Sequence, residues 1–193
     1  AVRNIEPEEI DLQLEHDFNY LVVAQWSIRK NIENTVKWFL KEFAYDEVGL
    51  VLKINSQSNS PLDLPITEER LREPISIILR DYPEHKCNIY LLHGDMTENE
   101  MTGLYNHPKI KALINLAHGE GFGLPTFEAA YNELPVVTPS WGGQNDFLYV
   151  PTKDKKKKKI YNKAHFAKVD FLIQPVQDEA VWGIPDKGPV LIK

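Results

Sequence analysis

The sequence has a single cysteine, Cys87, and no apolar run as long as a membrane span. One cysteine cannot form an intrachain disulfide, and it excludes zinc sites built from several cysteines. A transmembrane helix needs about 18 or more consecutive apolar residues, so we expect no membrane-spanning segment. The first residues, AVRNIEPEEI, have neither the basic nor the apolar region of a secretory signal. These absences predict a cytoplasmic protein.

Net positive charge is also missing. The 22 lysines and arginines are outnumbered by 28 acidic residues, which leaves a formal net charge of -6. This balance argues against a specific role in nucleic-acid binding. One basic run does occur, from Lys155 to Lys159. Such a charge block is typical of a solvated loop, and a contact with polyphosphate or an acidic membrane is the alternative.

Several familiar motifs are absent. A dinucleotide-dependent dehydrogenase requires G-x-G-x-x-G after its first strand, but AQWSIRKN (24–31) contains no glycine. The G-K-[ST] sequence of a P-loop NTPase does not occur either. HGE (118–120) matches the H-x-E of zinc deaminases, which also need P-C-x-x-C, and one cysteine cannot supply it. His118 has no obvious metal-ligating companions, so we interpret it as a hydrogen-bonded histidine near a site.

Strand-like and helix-like segments alternate along the first 150 residues. The strand-like segments are solidly apolar, as expected for a parallel sheet that is covered on both faces. The alternation predicts an α/β fold, a Rossmann-like parallel sheet with helices on both faces. The predicted strands are 19–26, 48–54, 87–94, 111–118 and 134–140, and the predicted helices are 31–44, 66–82, 97–105 and 125–133.

Local signals refine these elements. Pro74 is expected to disturb the helix at 66–82. Thr97 followed by Glu100 matches a capping box at a helix start. Beyond residue 150 the alternation stops. We expect one more strand at 169–176 and irregular structure from 181 to 193.

The stretch HGEGFGLPTFEAA (118–130) carries the clearest functional signal. It connects a predicted strand to a predicted helix, and ligands of open α/β sheets bind at such loops. Pro125 suits the first turn of a helix. The free N–H groups of that turn form an anion site. Gly119, Gly121 and Gly123 allow the backbone to approach a ligand closely.

Two carboxylates flank this anion site. Glu120 lies within the loop, and Glu128 lies about one turn into the helix, from which its side chain can lean back toward the loop. Phosphate alone gives no reason for two acids, whereas carboxylates accept hydrogen bonds from sugar hydroxyls. The pattern therefore indicates a nucleotide sugar, with a glycine-rich turn and a capping glutamate as the alternative.

EGFGLPTFEAA resembles the E-x7-E motif of retaining glycosyltransferases of the GT-B fold, of the group 1 or family 4 type. Those enzymes have two Rossmann-like domains, and the C-terminal domain binds the nucleotide sugar. The resemblance extends over residues 18–150. It includes a first strand, phosphate loop and helix in FNYLVVAQWSIRKNIENTVKWF, a strand and base-contacting loop in IYLLHGDMTENEMTGLYNH, and a Gly-Gly turn in LPVVTPSWGGQNDFL.

The resemblance implies a role for each matched residue. Lys30 corresponds to the phosphate-binding lysine, although a surface lysine at a helix start is the alternative. Lys30 and Glu120 would be the catalytic residues, with Glu120 holding the transferred sugar, while Glu128 would bind the ribose. The remaining donor-binding residues would be Gly121, Phe122, Gly123 and Leu124 at the phosphates or sugar, and Gly94 and Met96 at the base. For Met96 a role in the core is the alternative.

The sequence also departs from the family pattern. Many members have Gly-Arg where this chain has Ala24 and Gln25. The second phosphate-binding cation of the family is therefore missing at its usual place, and Arg29, adjacent to Lys30, is the candidate to compensate for it. Asn31 stands where the family has a glycine after the lysine. Asp146 stands where it has a glutamate after the Gly-Gly turn.

As a whole, the resemblance implies one half of an enzyme. Residues 1–17 would be an N-terminal segment or linker from a missing acceptor-binding domain, 18–150 the nucleotide-sugar-binding domain, and 151–193 a lysine-rich loop with a C-terminal strand and irregular segment. The expected function is hexosyltransferase-like transfer from a nucleotide-diphosphate sugar with retention, without a metal or other cofactor. The isolated chain would be inactive for transfer. A non-catalytic nucleotide-sugar-binding or partner-binding module is the alternative.

Overall fold

A computed structural model describes residues 5–154, 159–175 and 189–192 of the 193-residue chain. Residues 155–158 of the lysine run lie outside the described part, so the interpretation of this run as a solvated loop stays a prediction. The same holds for 181–188 of the segment that was expected to be irregular.

Ten strands and five helices form in the described residues. The strands are β1 (Asn19–Gln25), β2 (Gly49–Asn55), β3 (Asn88–Leu92), β4 (Ile110–Ile114), β5 (Val136–Pro139), β6 (Tyr149–Lys153), β7 (Ile160–Ala164), β8 (Ala167–Val169), β9 (Ile173–Pro175) and β10 (Pro189–Ile192). The helices are α1 (Ile32–Phe43), α2 (Leu64–Leu79), α3 (Glu98–Tyr105), α4 (Leu124–Tyr131) and α5 (Asn145–Leu148), with a 3-10 turn at Ile28–Lys30.

The main sheet has six strands in the order β3-β2-β1-β4-β5-β8. All neighbouring strands in it are parallel. The chain first builds outward from β1 to β3 and then returns to build outward on the other side from β4. This confirms the predicted Rossmann-like sheet and places its topological switch point between β1 and β4.

Helices cover the sheet on both faces. Successive strand residues point to opposite sides, so neighbouring residues of one strand pack against different helices. In β1, Leu21 packs into one hydrophobic cluster with residues of α3 and α4. Its neighbour Val22 packs into a second cluster with α1 and α2. Each fully buried aliphatic side chain contributes about 1.5–3 kcal/mol, so the two clusters hold both helical layers to one sheet.

Of the two helix signals in the sequence, the capping box at Thr97 is confirmed, whereas the disturbance expected at Pro74 is not seen. Helix α2 continues through Pro74 without an assigned break. The capping box of α3 is confirmed: Thr97 Oγ1 accepts from Glu100 N at 3.2 Å, and Thr97 N donates to Glu100 Oε2 at 2.6 Å. Strand β4 ends at Ile114 rather than at 118, so the loop that follows it is longer than the sequence suggested.

The C-terminal part differs most from expectation. Strands β6 and β7 form an antiparallel hairpin that the sequence analysis did not predict. The segment predicted as one strand at 169–176 divides between β8, which joins the main sheet, and β9. The prediction of irregular structure for 181–193 is wrong at 189–192, because β10 pairs with β9. The β7 residues are largely exposed, so no buried face imposed an alternating apolar pattern that could have revealed the hairpin.

The segment before β1 packs against the sheet domain. Glu8 N donates to Asn99 O at 3.1 Å. Leu14 is buried, and its carbonyl accepts from Lys109 Nζ at 2.8 Å. The assignment of residues 1–17 as a linker stays a prediction. None of the helices in the described ranges has the length and apolar character of a membrane span.

Candidate functional site

The predicted site residues converge on the carboxyl edge of the sheet at the switch point. The loop after β1 carries Arg29 and Lys30, and the loop after β4 carries Glu120. Because β1 and β4 are adjacent and parallel, their C-terminal loops lie side by side. The crevice between two such loops is where open α/β sheets bind ligands.

The loop after β1 is held in place by its own caps. Ser27 Oγ accepts from Lys30 N at 3.3 Å and so closes the 3-10 turn. Asn31 has a φ of 57°, in the left-handed region where asparagine is among the few tolerated non-glycine residues. This explains how Asn31 replaces a glycine at that position.

Several hydrogen bonds join this loop to the loop after β4. Asn31 Nδ2 donates to Leu116 O at 3.1 Å. His118 N donates to Arg29 O at 2.8 Å. The two loops therefore form one structural unit, in which the charged side chains of both are brought together.

The glycines allow a third loop to support this unit. Gly123 has a φ of 79° and is the N-cap residue that precedes α4, with Pro125 in the first turn as predicted. Gly143 N donates to Glu120 O at 3.2 Å. A Cβ atom at Gly143 would lie 1.6 Å from Gly121 O. The Gly-Gly turn after β5 thus packs directly against the backbone of the Gly-rich loop, and the two backbones are too close for any side chain at Gly143.

Glu120 lies at the centre of a charge cluster, and its side chain is only 7% exposed. Its Oε2 accepts from Arg29 Nη1 at 3.2 Å. Its Oε1 accepts from Lys30 Nζ and, at 3.3 Å, from Asn115 Nδ2. Arg29 Nη1 also donates to Gly119 O at 2.6 Å. The arrangement brings the predicted site residues Lys30, Arg29 and Glu120 together, and their roles toward a ligand stay predictions.

Glu128 faces a separate part of the site. Its Oε2 accepts from the Tyr105 hydroxyl at 2.9 Å. Burial raises the pKa of the Glu128 carboxyl, and this hydrogen bond opposes the rise only in part. The carboxylate lines a cleft of about 280 Å³ between α3 and α4, together with Leu124 and Met96.

Met96 connects Glu128 with the charge cluster. It also lines a second cleft, of about 300 Å³, whose other lining residues include Lys30 and Lys53. Lys53 Nζ donates to Gly94 O, and Gly94 has a φ of 108°. The loop at Gly94 and Met96 therefore lies between the cation end and the Glu128 end of the site. A larger cavity of about 900 Å³, lined by residues 7–15 and 106–109, contains none of the predicted site residues.

Sequence reasoning missed three residues that shape the site: Asn115, Tyr105 and Lys53. Asn115 follows directly after β4, which is a position where polar side chains reach a ligand crevice. Tyr105 lies at the end of a predicted helix, and Lys53 lies within a predicted strand. No local pattern marked their hydrogen bonds to Glu128 and Gly94.

Comparisons with known proteins identify the fold. No protein-family model matches the chain, and no curated protein matches it significantly. Among solved structures, the C-terminal domain of a group 1 glycosyl transferase, LpcC from Francisella tularensis, matches with a TM-score of 0.51 and 17% identity, over 76% of this chain and 72% of that chain.

Two further solved structures match the same fold. A UDP-forming trehalose-phosphate synthase from Burkholderia xenovorans matches with a TM-score of 0.53 and 13% identity. A trehalose-6-phosphate structure from E. coli, bound with UDP-2-fluoro glucose, matches with a TM-score of 0.51 and 12% identity. Each match covers 70% of this chain but only 32% of the other. This chain has the fold of the C-terminal domain of GT-B glycosyltransferases.

Proposed function

We propose that this chain is the donor-binding domain of a glycosyltransferase that transfers a sugar from a nucleoside-diphosphate sugar with retention. One observation carries the proposal. Lys30 after β1 and Glu120 after β4 meet beside the N-terminus of α4, at the switch point of the sheet. A cation, a set of free amides and an acid at one crevice match the chemistry of a diphosphate attached to a sugar.

In this proposal the phosphate oxygens bind Lys30, Arg29 and the amides at Gly123 and Leu124. Positive charge there stabilises the diphosphate as it leaves the sugar. Glu120, freed from its cations by the diphosphate, accepts hydrogen bonds from the sugar hydroxyls.

The nucleoside extends from the phosphates toward α3. Glu128 binds the ribose, and the base lies against the loop at Gly94 and Met96. The position of Met96 between the two clefts supports this direction. Residue types at these positions supply amides, cations and carboxylates, so we expect donor binding without a metal.

We expect the isolated chain to bind the donor without transferring it. In the resembled enzymes the acceptor is held by a second domain, and positioning two reactants supplies much of the rate. Slow hydrolysis of the donor is the most activity that we expect from this chain.

The test is a thermal melt with UDP, GDP and ADP at millimolar concentration, each repeated in EDTA. Two of the similar structures are described with uridine nucleotides, so UDP is the first ligand to test. Ligand at about 100 times its dissociation constant adds about 2.7 kcal/mol of stability. This corresponds to a shift of about 5–11 °C in a domain of this size.

The outcomes separate the parts of the proposal. No shift with any of the three nucleotides contradicts the donor site. A shift that disappears in EDTA contradicts only the metal-free part.

A further inference from the structure

Asn115 is fixed at the base of the charge cluster by hydrogen bonds in several directions. Its Oδ1 accepts from Ala117 N at 3.1 Å. Its Nδ2 donates to Thr126 Oγ1 at 2.9 Å and to Glu120 Oε1 at 3.3 Å. Its backbone N donates to Val137 O at 2.9 Å. The side-chain amide is therefore oriented by the backbone after β4 and by the first turn of α4.

The groups that hold Glu120 differ in charge. Arg29 and Lys30 are cations on the loop after β1, and the Arg29 side chain is 53% exposed. Asn115 is neutral, and its partner Thr126 is fully buried. An anion that enters the crevice competes with Glu120 for the two cations, because both interactions are electrostatic. It has no such effect on the amide of Asn115.

We propose that Asn115 is a positioning residue that keeps Glu120 Oε1 bound when a diphosphate draws Arg29 and Lys30 away, so that Oε2 remains available to the donor sugar. The inference rests on the proposed function. Asn115 touches neither phosphate nor sugar in this arrangement. It acts on the donor only through the orientation of Glu120.

The consequence is measurable as a preference for the sugar nucleotide over the free nucleotide. In Asn115→Asp an ionised carboxylate replaces the donor amide and repels Glu120. Affinity for UDP-glucose relative to UDP should then fall by about 10- to 100-fold, the scale of a lost hydrogen bond to a charged group. Affinity for UDP itself should not fall. If GDP or ADP is the preferred nucleotide, the pair is that nucleotide and its glucose conjugate.

The pH dependence gives a readout that a purely structural role does not predict. In Asn115→Asp the introduced carboxylate lies beside Glu120, and repulsion between two neighbouring carboxylates raises the pKa of one of them. Lowering the pH from neutral to about 5 should protonate the pair once. In the Asn115→Asp variant the introduced carboxyl, once protonated, can donate to Glu120, so the preference for the sugar nucleotide should partly return. The parent should show no such recovery.

Asn106→Asp is the matched control. Asn106 also donates two side-chain hydrogen bonds, to Thr102 O and Asn132 Oδ1 at 2.8 Å each, but it lies at the end of α3. Its substitution should leave the ratio of the two affinities unchanged. If Asn115→Asp does not fold, Asn115→Ala is judged by the same ratio.

The results distinguish the two proposals. If the parent binds none of the nucleotides, the proposed function fails and the inference fails with it. If the parent prefers the sugar nucleotide and the Asn115 variants keep that preference, only the inference is overturned. An equal loss of both affinities in the variants would assign Asn115 a structural role instead. A parent without any preference for the sugar nucleotide also overturns it, because Glu120 then does not bind the sugar.

Discussion

The Tyr105 hydroxyl, at the end of α3, donates a hydrogen bond to Glu128 Oε2 on α4 at 2.9 Å. The tyrosine is 2% exposed, so its hydroxyl is held in one place by the core. One oxygen of Glu128 is thereby occupied, and the other is available at the cleft between the two helices. A ribose offers two adjacent hydroxyls, which such a carboxylate can bind.

We expect Glu128→Gln to weaken binding of both the free nucleotide and the nucleotide sugar, by about 1 kcal/mol. This is the difference between a charged and a neutral hydrogen-bond acceptor. Isothermal titration with each ligand measures it. A loss confined to the sugar nucleotide, or a crystal soak with the ribose far from Glu128, would overturn the ribose assignment.

The same substitution should leave the fold intact. Burial raises the pKa of Glu128 above its ordinary value of 4.5. An acid with a raised pKa contributes stability below its ordinary pKa, and this contribution is lost as the pH rises through the raised value. The neutral glutamine avoids the cost of an ionised buried carboxylate, so the melting temperature at neutral pH should not fall.

Lys30→Ala should weaken binding of the nucleoside diphosphate by about 1.5–3 kcal/mol, which is typical of a charged hydrogen bond. Titration calorimetry measures the loss. Lys37→Ala is the control, because Lys37 Nζ lies over the Trp38 ring on α1, 5.7 Å from its centroid. Equal affinity in Lys30→Ala and the parent would remove Lys30 from the site.

Glu120→Gln should separate the sugar from the phosphates. In this structure Glu120 pairs with Arg29 and Lys30, and a diphosphate must detach both cations from it. Without the carboxylate charge that competition is weaker, so the free nucleotide should bind at least as tightly as in the parent. The preference for the sugar nucleotide should be lost. Weaker binding of the free nucleotide would contradict the proposal that Arg29 and Lys30 leave Glu120 to bind the diphosphate.

Gly143→Ala should destabilise the protein by about 1–3 kcal/mol, the usual cost of overpacking. The new methyl group would meet the backbone at Gly121, which cannot rotate away as a side chain can. Gly119→Ala is the control, since a Cβ there has no atom within 4 Å. Urea unfolding of both variants compares them, and equal stability would show that the two loops are not in contact.

The buried pair of Asp63 and His93 should make stability depend on pH. The carboxyl accepts from His93 Nε2 at 3.1 Å and from Ser56 N at 2.8 Å. Burial alone would raise the pKa of Asp63, but these hydrogen bonds hold it well below its ordinary 3.8. The resulting stability is present above that ordinary value and is lost as the pH falls toward the lowered pKa.

Asp63→Asn should therefore lower the melting temperature at neutral pH. The difference from the parent should shrink as the pH is lowered toward about 3. Thermal melts across this range measure it. A difference that stays constant with pH would mean that the carboxylate charge does not contribute.

The sequence predicted those parts of the fold that burial dictates. Strands covered on both faces, such as β2, are buried along nearly their whole length and mainly apolar, and the amphipathic α1 buries one face. Placing Lys30 and Glu120 at one sheet edge followed from two loops that leave the carboxyl ends of parallel strands, whereas their ion pair did not. The Asn115 contacts did not follow, because they depend on side-chain directions within a loop. The β6–β7 hairpin did not follow either, because its exposed residues carry no periodic signal.

The strand order also divides the site between two successive halves of the chain. The half from β1 to β3 supplies the cations of the site, and the half that begins with α3 and β4 supplies the acids. A bound ligand would therefore contact residues of both supersecondary units and stabilise their packing against each other. Amide hydrogen exchange should then slow together in β1 and β4, whereas a ligand held by one unit alone would protect only that unit.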